Sequence, residues 1–97
     1  MNNIEEIIKG IRKRIYDFRS EENYNLSAFV FDINAIEIAT SLSELGLKNN
    51  RKIKNEERVW FEGERYLQDT LGNSRKWVDL FDLYCNLVEE IKQKSIL

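Results

Sequence analysis

Histidine and proline are absent from this 97-residue chain, and cysteine occurs once, as Cys85. Without histidine, the commonest general base, proton shuttle and transition-metal ligand are missing. The Glu-x-x-His pairs of helical di-iron proteins cannot be built either. Without proline, only glycine and asparagine are left to interrupt a helix. A single cysteine permits no intrachain disulfide and fits a reducing, cytoplasmic setting. No apolar run approaches the roughly 18 residues of a membrane span, so no membrane association is expected. Asn2, Asn3, Glu5 and Glu6 open the chain unlike a secretory leader. There is no glycine-rich phosphate loop. The formal net charge of −2 is too small to imply nucleic acid or membrane by itself.

What is present is the composition of one folded domain. Apolar residues make up 42% and charged residues 33%, which excludes a disordered chain. Isoleucine, asparagine and lysine are plentiful, a bias that accompanies AT-rich coding DNA in many Gram-positive bacteria and their phages.

Four helices are predicted, over about 3–20, 26–45, 53–71 and 74–93. Ile4, Ile8, Ile11, Ile15 and Phe18 recur with alternating four- and three-residue spacing, one straight apolar seam. Asn3 and Glu6 form a candidate capping box in front of it. Gly46 stands where a left-handed cap would end the second helix. Asn55 is the candidate cap of the third, with Ile53, Trp60 and Leu67 seven apart on one face. Gly72 and Asn73 end it, and Ser74 caps the fourth. That last helix carries Trp77, Leu80, Phe81, Tyr84, Leu87, Val88 and Ile91 as its seam. Similar lengths and short connections predict an all-α, antiparallel up-down four-helix bundle.

The second helix departs from this plan, because it has two apolar seams. One is Phe31, Ala35, Ile38, Leu42 and Leu45. The other is Phe29, Ile33 and Ile36, with Leu26 and Val30 beside it. At about 100° per residue the two lie on nearly opposite sides. Either the helix is central and covered on both sides, or one seam docks a second copy or another protein. The candidate binding residues are Phe29, Val30, Ile33, Ile36 and the off-seam Phe61. Val78 and Cys85 also share an off-seam face.

Charge is segregated along the chain. Residues 20–47 hold Glu21, Glu22, Asp32, Glu37 and Glu44 and no base. Basic residues gather at Lys9, Arg12, Lys13, Arg14 and Arg19, and again at Lys48, Arg51, Lys52, Lys54 and Arg58. Complementarity within the chain or between copies explains both blocks. Phosphate contact by Arg12, Lys13, Arg14, Arg51, Lys52 and Lys54 is the nucleic-acid alternative.

Catalysis has little to work with, and no cofactor is expected. A carboxylate-only magnesium site of the helical nucleotide-pyrophosphohydrolase kind needs Glu-Glu-x-x-Glu plus two acids three apart. Asp79 and Asp82 have the second spacing, but Trp60 stands where the acid after Glu56 and Glu57 belongs. Cys85 has neither a base nor a second thiol to activate it. In size, helix count and composition the chain is similar to the small bacteriocin immunity proteins, helical bundles that bind and block a target. No motif carries that likeness, and no functional residue follows from it. The expected function is therefore binding of another protein, as an inhibitor, immunity factor, anti-defence protein or regulatory subunit, with a homodimer as one form. Nucleic-acid regulation and a magnesium-dependent nucleotide hydrolase rank below it.

Overall fold

The computed structural model describes residues 3–22, 24–26, 29–62 and 75–94. Every regular element among them is helical. Three are α-helices: α1 (Asn3–Arg19), α2 (Phe29–Asn49) and α3 (Arg75–Gln93). Two are 3-10 helices, a short turn at Tyr24–Leu26 and a longer segment at Asn55–Phe61. No α-helix among the described residues is long and apolar enough to cross a membrane.

α1 folds as its spacing dictates. Ile4, Ile8, Ile11, Ile15 and Phe18 are all buried along one face, and the polar side faces solvent. The helix lies antiparallel to both other α-helices. Arg19 reaches Glu37 and Arg12 reaches Glu44, so α1 and α2 run in opposite senses. Lys76, near the start of α3, pairs with Glu21 and sits 5.2 Å from the centre of the Phe18 ring, while Gly10 faces Leu83 further along. A Cβ at Gly10 would stand 3.2 Å from Leu83 Cδ1, so the glycine permits a close approach of α1 and α3.

The ends of α2 differ from expectation. Leu26 closes the 3-10 turn, and α2 begins at Phe29. Gly46 does not end the helix, which runs one turn further to Asn49. Asn50 then takes the left-handed conformation (φ 52°), and the Arg51 amide donates to the Gly46 carbonyl at 3.0 Å. This is a Schellman-type end with asparagine in the glycine role. Gly46 instead lies buried against the core.

The third expected helix, 53–71, is corrected over its first part. Ile53 and Lys54 precede the 3-10 segment, and Lys54, not Asn55, is its N-cap. The Lys54 amide donates to Glu57 Oε1 and the Glu57 amide donates to the Lys54 carbonyl, both at 2.9 Å. Seven residues is long for a 3-10 helix, whose hydrogen bonds are poorer than those of an α-helix. Tertiary anchors support it here. Ile53 and Phe61 are buried near its two ends, and the buried Tyr84 of α3 donates its hydroxyl to the Trp60 carbonyl at 2.7 Å. The rest of that expected helix, with Leu67, lies outside the described residues, as do Gly72 and Asn73, expected to end it, and Ser74, expected to cap the fourth.

The core gathers the α1 seam, Ile33, Ile36 and Ala39 of α2, Ile53 and Phe61, and Trp77, Leu80, Tyr84, Leu87, Val88 and Ile91 of α3.

Candidate functional site

The two seams of α2 have opposite fates. Ile33 and Ile36 are fully buried. Phe31 is 87% exposed, Leu45 45% and Ile38 37%. Ala35 and Leu42, between them, are half-buried. The seam that resembles a core stripe therefore faces out, and the other faces in.

The buried side explains why. Beyond Ile36 it continues through Ala39, Thr40, Ser43 and Gly46, all buried. Thr40 Oγ1 donates to the Ile36 carbonyl and Ser43 Oγ to the Ala39 carbonyl, each at 2.8 Å. These back-bonds satisfy the hydroxyls inside the helix, so the two residues behave as small core residues. This side of α2 is therefore buried although most of its side chains are small. Phe31, Ile38 and Leu45 of the same helix are left exposed, while Leu42 and Leu47 pack partly against the core.

Four of the five residues singled out from the sequence accordingly do not form a surface. Ile33, Ile36 and Phe61 belong to the core, and Val30 is half-buried against it. The Phe29 side chain lies outside the described residues. Phe61 turns inward because the 3-10 segment advances about 120° per residue rather than the 100° of an α-helix, and Trp60 and Val59 are exposed beside it. Val78 is exposed on α3, and Cys85 packs half-buried against the core.

The outer face of α2 is bounded by charge on the α1 side. Arg19 holds both carboxylate oxygens of Glu37, at 2.6 and 3.0 Å, and donates to Asn34 Oδ1 at 2.9 Å. Its hydrogen bond to Glu37 raises the guanidinium above its ordinary range and holds the Glu37 carboxyl below the usual one. Arg12 pairs with Glu44 at 2.7 Å. Glu37 and Glu44 of α2 thus meet bases of α1 inside one molecule. The Phe31, Ile38 and Leu45 stripe lies next to this row.

These pairs also divide the basic stretches. Arg12 is held by Glu44, and Arg51 by Glu57 at 3.3 Å. Arg14 turns back to the Gly10 carbonyl. Lys13, Lys52 and Lys54 make no ion pair among the described residues. Lys13 and Arg14 line a shallow cleft between α1 and α3 with Asp17, Phe18, Lys76 and Asp79, where the acids offset the bases.

The carboxylates are equally dispersed. Glu57 accepts from the Lys54 amide and from Arg51, which together lower its pKa. Asp79 and Asp82 are exposed on α3. Among the described residues no three Asp, Glu or Cys side chains come together as a metal-ligand set. Asp32, in the first turn of α2, has one carboxylate oxygen buried without a hydrogen-bond partner, and burial pushes its pKa up.

Comparison with family models, curated proteins and solved structures gave no match.

Proposed function

We propose that this chain acts by binding protein through the outer face of α2, as an inhibitor, immunity, anti-defence or regulatory-subunit type of protein. The observation that carries this reading is Phe31, Ile38 and Leu45, exposed at seven-residue intervals on a helix whose inner face is already packed. Scattered exposed apolar residues are ordinary, but an aligned row of large ones is the mark of a contact surface. Burying three such side chains offers about 1.5–3 kcal/mol each before association costs. The scaffold is an up-down four-helix bundle, a reading supported by the antiparallel placement of α1 against both α2 and α3. The ion pairs of Arg12, Arg19 and Arg51 favour protein over nucleic acid as partner, since they spend those cations within the molecule. The single half-buried cysteine suits work in the cytoplasm.

The test compares what immobilised wild-type chain and its Phe31→Glu variant retain from the organism that encodes it, with Lys13→Glu as the surface control. A protein held by wild type and Lys13→Glu but lost by Phe31→Glu supports the reading. Identical retention by all three contradicts it.

A further inference from the structure

Resting on the reading of the outer α2 face as a contact surface, we infer that its occupant is a second copy of this chain, with the two α2 helices packed antiparallel about Ile38.

Three observations converge on that occupant. The first is spacing. Phe31 and Leu45 lie seven residues either side of Ile38, with Ala35 and Leu42 completing an alternating four- and three-residue row. A two-fold axis at Ile38 sets Ile38 on Ile38 of the second copy, and each Phe31 against the other copy's Leu45. A large aromatic then meets a smaller aliphatic at both ends, and a self-complementary patch of this kind is what a two-fold interface requires. A strict seven-residue row drifts by about 20° per heptad on a straight helix, which suits a shallow left-handed crossing of two helices.

The second is the flank. Asn34 and Ser41, beside the stripe, are uncharged, so two copies meet there without like-charge repulsion. Glu37 and Glu44, one step further round, are already neutralised by Arg19 and Arg12.

The third is the sign of charge along the chain. Residues 20–47 hold five acids and no base, and Lys48, Arg51, Lys52 and Lys54 follow with no acid among them. Lys48, Lys52 and Lys54 make no ion pair among the described residues, and antiparallel alignment turns them toward the end of the other copy that carries Glu22, since Glu21 is held by Lys76 and Arg51 by Glu57. Parallel alignment would oppose like with like at both ends. Antiparallel helices also align their dipoles favourably.

The experiment is disulfide trapping in the full chain carrying Cys85→Ala, joined to sedimentation across a micromolar concentration series. Ile38→Cys is expected to cross-link with itself under mild oxidation. Phe31→Cys is expected to cross-link with Leu45→Cys when the two are mixed, and not with itself. Sedimentation of wild type is expected to show a monomer–dimer equilibrium that weakens with salt. Ile38→Glu sets two carboxylates on the axis and is expected to weaken the dimer at least about a hundredfold while circular dichroism stays that of a folded helical protein. Ile38→Ser serves the same purpose should Ile38→Glu fail to fold. Phe31→Cys cross-linking with itself would overturn the antiparallel pairing. A strict monomer that still loses a retained protein through Phe31→Glu would overturn the second copy and leave the binding reading standing. A monomer whose retained proteins ignore Phe31→Glu would overturn both.

Discussion

Single residues carry the clearest energetic consequences. The charged form of Asp32 is disfavoured in the folded chain, because burial raises its pKa and one oxygen has no hydrogen-bond partner. A raised folded pKa means a penalty that is absent below the ordinary carboxylate range and fully present above the raised value. Asp32→Asn should therefore raise stability by about 1 kcal/mol at neutral pH and give no gain near about pH 3, as read by urea unfolding at both. Glu37 has the opposite sign. Its depressed pKa adds stability above the ordinary carboxylate range, lost as pH falls through the lower folded value. Both partners of that pair are more than a third exposed, so solvent screening holds the loss in Glu37→Gln to less than about 1 kcal/mol. At Gly10 two effects oppose. Alanine gains about 1 kcal/mol of helix propensity, and its Cβ meets tightly only the end of the half-buried Leu83 side chain, which can shift by tenths of an ångström, with Arg14 Nη1 at ordinary contact distance. Gly10→Ala should be mildly stabilising, by less than about 1 kcal/mol, whereas Gly10→Leu should force α1 and α3 apart and cost about 1–3 kcal/mol in the same assay.

At the scale of the element, α2 holds most of what is unusual. Its inner side is built from Ile33, Ile36, Ala39, Thr40, Ser43 and Gly46, so bulk there should be resisted more than polarity. Thr40→Val should be nearly neutral, and Thr40→Leu should cost about 1–3 kcal/mol by overpacking, as measured by thermal unfolding. A cost for Thr40→Leu no larger than for Thr40→Val would show that this side is not closely packed. This is also where the sequence misleads. Ranking seams by apolarity selects Phe31, Ala35, Ile38, Leu42 and Leu45 as core, because hydroxyls and glycine score as polar or neutral. Position 40 is isosteric with valine once its hydroxyl is spent on the Ile36 carbonyl, and that exchange is local to the helix. The signal that would have reversed the choice is the run of small residues continuing the Ile33 and Ile36 face at helical spacing. By contrast the core faces of α1 and α3 are legible, since each has one seam and its residues are buried, Phe81 of α3 only in part. The 3-10 segment was beyond reach for another reason. Its geometry depends on Tyr84, 24 residues away from the Trp60 carbonyl it bonds, and no local pattern records that contact.

For the whole molecule, the pieces describe a helical protein in which four bases are matched by acids among the described residues, while a row of large apolar side chains on α2 stays exposed. Arg12, Arg19, Arg51 and Lys76 each find an acid within the chain. Phe31, Ile38 and Leu45 on α2 stay exposed. The all-helical class followed from periodicity alone, and so did the presence of two apolar seams on α2. Which of them is buried did not, because the small residues that continue the inner seam score as polar or neutral. The central claim is therefore that the small-residue side of α2 is core and the large-residue side is interface. Urea unfolding of Ile36→Ala and Ile38→Ala, at concentrations low enough to hold the chain monomeric, tests it most directly. Ile36→Ala is expected to lose about 2–5 kcal/mol and Ile38→Ala less than about 1 kcal/mol. The reverse order, or equal large losses, would contradict the account.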